Sequence, residues 1–252
     1  MALEYALQDP LKNALVISNL TQLKQDCSIA MHNDNTAEYA VASYYMDLPF
    51  YNVNLMINTS YELEIVINKL LDRHPELKDQ PIYGLYDEKT TRLVEQQYEA
   101  NRRHVEIKMA LDTDEIPPIK IDQLQYRFER LTLDDMLKIS QLYSLVPAMA
   151  WTPKALEFGP YYGVYLDDHL VSIAGVQFVT KWVAEVGNIV THFRHRRNNL
   201  AYYCTKEVIE NLRRTTNKIF LCVNSDNEGA IKLYEKMGFE QIEELNLLQY
   251  YI

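Results

Sequence analysis

An α/β fold built on mixed sheets is the class this sequence predicts, and three observations predict it. Strand-like runs alternate with segments of helical apolar period along the whole chain, an order that gives a sheet with helices on its faces. The stretch Asp112-Thr113-Asp114-Glu115-Ile116-Pro117-Pro118 is acidic and ends in two prolines that stop regular structure. It divides the chain into near-equal halves, 1–118 and 119–252, each of ordinary domain size. Hydrophobic residues make up 48% and charged residues 24%, a balance that suits a globular protein with a sizeable core.

In the first half, residues 11–23 carry apolar side chains at helical spacing. Residues 27–31, 37–46 and 51–57 read as three strands, with Asn33-Asp34-Asn35 turning between the first two. Thr59 and Glu62 form a capping-box pattern for a helix over 60–73. A strand at 82–86, a helix at 87–98 and a strand at 104–111 follow.

Beyond the linker, 125–131 reads as a strand and 134–145 as a helix ending before Pro147. Residues 151–160 read as a loop. Two strands, 161–166 and 170–179, are joined by Asp167-Asp168-His169, and a longer strand spans 182–193. A helix over 199–214, a strand over 218–223, a helix over 227–237 and closing strands complete the half. The two halves share roughly one order of elements. The first is therefore read either as a degenerate copy of the second or as an unrelated α/β domain.

Composition excludes several roles. A net charge of −10 repels nucleic acid and anionic membrane. No apolar run approaches the ~18 residues of a membrane span. The start of the chain lacks the basic flank and apolar run of a signal peptide, so a cytoplasmic location is expected. Cys27, Cys204 and Cys222 are widely spaced, which suits reduced thiols and offers no metal-ligand spacing.

The chemistry concentrates in the last quarter. His192-Phe193-Arg194-His195-Arg196-Arg197 gathers three arginines and two histidines in an acidic chain. Asn198 and Asn199 then open a helix whose Leu200, Cys204, Val208 and Leu212 recur every four residues. A turn leading into a helix N-terminus supplies backbone N–H donors and positive potential for a phosphate. Charge alone favours a solvated basic surface loop. Further on, Asn224-Ser225-Asp226-Asn227 precedes a helix with Ala230, Leu233, Tyr234 and Met237 on one stripe and Gly238 as its stop. Tyr234 taken alone reads as a core tyrosine.

Together these blocks resemble the GNAT superfamily of acyl-CoA-dependent N-acyltransferases, over the half from Leu124 to Ile252. The family pattern is Arg or Gln, two variable residues, Gly, one variable residue, then Gly or Ala; here it meets Arg196, Asn199 and Ala201. Asn199 departs from the glycine, and Asn is the residue that best replaces Gly in a left-handed backbone. The resemblance implies a GNAT fold for this half and acetyl-CoA as acyl donor. It implies CoA contacts from Ile189, Val190 and Thr191 on the long strand, from Arg196, Arg197, Asn198, Asn199, Leu200 and Ala201 in the turn, and from Asn224, Asn227, Ala230 and Tyr234.

The implied reaction is attack of a primary amine on the thioester. Tyr234 is placed to protonate the leaving thiolate, and the Val190 and Thr191 amides to polarise the carbonyl. Glu185 is the preferred base, with Glu157 and His192 as alternatives; otherwise Glu185 is an exposed charge on a sheet edge. Trp151, Tyr161 and Tyr162 are expected to line the cleft of a small-molecule amine acceptor. A homodimer is one assembly this allows. Two other readings stand beside the enzyme: a degenerate GNAT that binds CoA as a sensor or scaffold, and an interaction protein that lost the cofactor.

Overall fold

The computed structural model describes residues 1–34, 38–120 and 125–252. Asn35 and Ala37, expected in the first turn and the second strand, lie outside the described residues, as does Leu124 at the start of the resemblance. The elements run α1 (Ala2–Ala6), α2 (Ala14–Leu20), β1 (Cys27–His32), β2 (Ala40–Tyr45), β3 (Asn54–Met56), α3 (Ser60–Leu71), β4 (Ile82–Tyr86), α4 (Glu88–Gln97) and β5 (Ala100–Leu111). Then come β6 (Tyr126–Arg130), α5 (Met136–Leu145), α6 (Ala155–Phe158), β7 (Tyr162–Leu166), β8 (His169–Val179), β9 (Val183–Thr191), α7 (Leu200–Leu212), β10 (Lys218–Asn224), α8 (Glu228–Lys236) and β11 (Phe239–Tyr250). Helix α1 has no counterpart in the sequence reading, and the stretch expected to be a loop at 151–160 contains α6.

Two units make up the fold. Met1–Lys108, Val223–Asn227 and Ile242–Ile252 form the first; Met109–Cys222 and Glu228–Gln241 form the second. The division thus falls ahead of the proline-ended linker, and the closing segment returns to the first unit. Strand pairing is the reason: β11 runs antiparallel to β4 with Leu248 opposite Gly84.

In the first unit, β1, β2 and β3 form an antiparallel sheet in that order. The Thr59 side chain accepts the Glu62 N–H at 3.2 Å, and the Glu62 carboxylate takes the Thr59 N–H at 3.1 Å, so α3 starts where the capping box predicts. Leu63, Val66, Ile67 and Leu70 then share one face at helical spacing and are fully buried against β1 and β2. Each such burial contributes about 2 kcal/mol.

The second unit carries a mixed sheet in the order β10, β9, β8, β7, β6. Its four junctions are antiparallel except β9–β10, which is parallel. Helices α5, α6 and α7 pack on β8. Tyr161 enters this core with its ring over Gly175, where an added Cβ would stand 2.1 Å from the ring. Gly175→Ala therefore overpacks the sheet and is expected to cost about 1–3 kcal/mol in urea unfolding, with the Tyr161 ring displaced.

Candidate active site

Strand β9 carries the site's first feature. It pairs with β10 at Val183, Ala184 and Glu185, opposite Lys218, Ile219 and Phe220, and the register ends there. β9 continues to Thr191, so its later residues present one edge without a ladder partner on the β10 side. Glu185 stands at this parting of the strands. It is 9% exposed and interior to the sheet, opposite Phe178 on β8 and Phe220 on β10, so the reading as an exposed edge charge is corrected.

A bulge follows. Gly187 faces Gly175 and Val190 faces Ile173, which leaves Asn188 and Ile189 opposite the single residue Ala174. Asn188 adopts φ +55°, the left-handed conformation that Asn tolerates best after Gly. Past the bulge, the His192 N–H donates to the Val171 carbonyl at 2.8 Å. Strand alternation then points the Val190 amide at β8 as well, and turns that of Thr191 to the unpaired edge. Of the two amides expected to polarise a carbonyl, that of Thr191 faces the unpaired edge and that of Val190 faces β8.

The turn between β9 and α7 comes next. His192 Nδ1 accepts the Arg194 N–H at 3.2 Å, closing a short 3-10 turn over Phe193–His195. This gives His192 a structural task at the turn. Burial, with the His192 and Arg194 charges, pushes the His195 imidazole below its ordinary value. The turn's positive charge at neutral pH therefore rests on its arginines. Arg196 Nε reaches the Thr191 carbonyl at 3.4 Å, and Arg196, Arg197, Asn198 and Asn199 are all exposed.

Asn199 is the N-cap of α7 with φ +58°, and Arg197 also lies in the left-handed region at φ +64°. No side chain caps α7, so its first N–H groups are not taken by a cap. The Asn199 amide is tied to the Lys120 carbonyl at 3.2 Å. Leu200 is buried and Ala201 half-buried behind the turn. Uncapped amides, two left-handed residues and flanking arginines are features that suit an anion. Asn199→Ala is expected to lower stability by about 1 kcal/mol because Ala pays the left-handed cost, while Asn199→Gly keeps the turn; thermal unfolding of the two variants distinguishes them.

The start of α3 in the first unit offers a contrast. The N-terminus of α3 takes its own Glu62 carboxylate, which accepts the Asn58 and Thr59 N–H groups. Lys89 Nζ is bonded to Asn58 Oδ1 at 3.2 Å. That helix end is already occupied by an anion of the chain.

Helix α8 holds the last features. Tyr234 is 7% exposed, on the face shared with Ile231 and Met237, and its ring meets Phe239 at 6.0 Å. Its hydroxyl has no hydrogen-bond partner among the described residues. Burial raises the phenol well above its ordinary value, so it stays protonated. Ala230 is half-buried on the same helix. Asn224 and Asn227 fall within the first unit, where Asn224 Oδ1 accepts the Asp226 N–H at 2.8 Å and the Asn227 N–H bonds the Asn224 carbonyl at 2.9 Å.

The three aromatic residues expected to line a cleft separate. Tyr161 is 1% exposed; its hydroxyl donates to the Val176 carbonyl at 2.7 Å and accepts from Asn188 Nδ2 at 2.7 Å. It is a core residue, which corrects the expectation of a lining role. Tyr162 is half-buried on β7. Trp151 is half-buried with its ring 4.8 Å from Tyr143, and its Nε1 is a buried donor without a partner among the described residues. Glu157 is exposed on α6. Burial pushes the Cys204 thiol up to about 12, which leaves it a packing residue. Sequence reasoning missed Asn188, Tyr143 and Gln177, although Gly187-Asn188 inside a strand run is a bulge signal.

Comparison with known proteins bears on the family and the fold. The family model described as acetyltransferase (GNAT) matches residues 127–239. A GNAT-family structure from Novosphingobium aromaticivorans is 16% identical with TM-score 0.63, covering 100% of this chain and 97% of that one. A GCN5-related N-acetyltransferase from Kribbella flavida is 11% identical with TM-score 0.70, covering 94% of each chain. A tandem GNAT protein from the clavulanic acid biosynthesis pathway is 12% identical with TM-score 0.61, covering 99% of this chain and 94% of that one. At these identities the likeness is one of fold, and it extends over both halves. No curated protein matches the sequence.

Proposed function

With residues 127–239 a domain of the GNAT acetyltransferase family, we propose that this chain transfers an acetyl group from acetyl-CoA to the primary amine of a small molecule. One observation carries the reading. The unpaired edge of β9 runs straight into an uncapped, arginine-flanked helix end at α7. A strand edge suits an amide-bearing arm, and a helix end suits a pyrophosphate.

The residues fit a CoA thioester. Ile189 and Thr191 would hold the pantetheine arm by their backbone, alongside Val190, with Arg196 to Ala201 on the phosphates. Asn224, Asn227 and Ala230 are assigned to the same arm from the family pattern. Acetyl-CoA supplies an activated carbonyl and a thiolate leaving group. The chain's own groups do the rest. A backbone amide at the bulge polarises the carbonyl oxygen. Glu185 receives the proton lost by the amine, directly or through water. Tyr234, kept protonated by burial, gives a proton to the departing sulfur. Trp151 and Tyr162 are assigned to the acceptor.

A small acceptor in the cytoplasm is part of the proposal, and cysteines outside any disulfide accord with that compartment. Among the described residues, no helix is long and apolar enough to cross a membrane. Thiol release measured with acetyl-CoA and a panel of small primary amines tests the reading. Amine-dependent release is expected. Binding of CoA without release from any amine would favour the sensor reading instead.

A further inference from the structure

The bulge in β9 is held by more than its own ladder. Asn188 Nδ2 donates to the Tyr161 hydroxyl at 2.7 Å and to the Val176 carbonyl at 3.3 Å. Asn188 Oδ1 accepts from Gln177 Nε2 at 3.3 Å. The Asn188 carbonyl accepts the Tyr143 hydroxyl at 2.8 Å. Side chains from α5, from the entry to β7 and from β8 therefore converge on one left-handed residue. Asn188 and Tyr143 are each 7% exposed and Tyr161 is 1% exposed, so the bonds among them form out of water, while the Gln177 bond is part-buried.

A buried polar network is a costly way to hold a sheet together, since apolar packing of the same volume stabilises as well or better. What the network does supply is a single defined orientation for the Asn188 peptide. That peptide leads into Ile189, and the chain beyond it turns the Thr191 amide to the unpaired edge. Tyr161 can reach the bulge because Gly175 leaves room for its ring.

We propose that Tyr161, Tyr143 and Gln177, acting through Asn188, are positioning residues that fix the Ile189–Thr191 amides for the thioester carbonyl. The inference rests on the reading that acyl-CoA lies along β9. Tyr161 thus serves the reaction without touching either substrate, and so does Tyr143.

Tyr161→Phe is the discriminating variant, because its ring still fills the space over Gly175 and only the hydroxyl is lost. Asn188→Gly is the second, because it keeps the left-handed backbone and removes the side-chain bonds. Three readouts are taken on wild type and both variants: kcat and KM for acetyl transfer, calorimetric affinity for CoA, and amide hydrogen exchange over 187–191 without ligand. CoA lacks the acyl carbonyl, so its affinity should stay within about twofold while kcat falls about tenfold or more. Exchange over 187–191 should quicken while the rest of the second unit keeps its protection.

Unchanged kcat with unchanged exchange overturns the positioning role. A uniform loss of protection, with kcat and CoA affinity falling together, also overturns it in favour of general packing. Absence of both CoA binding and turnover in the wild type would overturn the proposed function and with it this role. The exchange comparison would still show whether the side chains order the bulge.

Discussion

Replacing Tyr234 with Phe is expected to lower kcat by about a hundredfold while leaving CoA affinity close to wild type. The ring stays buried beside Phe239, so packing is preserved and only the hydroxyl is lost. That hydroxyl is uncommitted to any partner among the described residues, and burial holds its proton above the ordinary range. The pH profile carries the same signature. Loss of activity from phenol ionisation should appear only above the ordinary tyrosine value of about 10. On the acid side, kcat should rise as the base loses its proton. Unchanged turnover in Tyr234→Phe would remove the phenol from the mechanism.

The double change Arg196→Ala with Arg197→Ala is expected to weaken CoA binding by about tenfold or more, with little effect on thermal stability. Both side chains are exposed, so their removal leaves no cavity. Their effect should also shrink as salt rises, because exposed charges are screened over about 8–10 Å at ordinary ionic strength. With Arg194, the two arginines carry the turn's charge, since His195 is pushed toward its neutral form. Calorimetric titration of CoA at low and high salt checks both statements. An affinity equal to wild type at low salt would mean that the turn faces water.

Much of the fold was legible because its signals are local. Thr59 and Glu62 mark the start of α3 within four residues, and the period of four from Leu200 to Leu212 marks α7. Strand β5 begins earlier than its apolar pattern suggests. Its opening residues are polar and exposed, and Arg102 there is held by Glu88 and Glu95 at 2.9 and 2.7 Å on a neighbouring helix. The division into units was not legible. It depends on β11 returning to pair with β4, a contact between residues more than 150 positions apart for which local pattern carries no signal.

At the site, the start of α7 at Asn199 and the stripe that buries Tyr234 were readable from residue type and order. Asn199 was marked as the departure, and its left-handed backbone is what an Asn in the glycine place requires. Tyr161 was misread for a plain reason: a tyrosine at the head of a strand faces either the core or a cleft, and the sequence does not say which. Gly175, fourteen residues away on β8, decides the matter by leaving space for the ring. That the Val190 amide faces β8 is not visible in the sequence, because the bulge at Asn188 sets which residues face that strand.

The central claim is that the β9 edge and the α7 turn bind acyl-CoA. Calorimetric titration of the purified protein with acetyl-CoA, alongside CoA lacking its 3′-phosphate, tests it most directly. The account predicts saturable binding of one acetyl-CoA per chain, since the α3 end in the first unit is filled by Glu62. Absence of binding would contradict the account, and two equal sites per chain would contradict its view of the first unit.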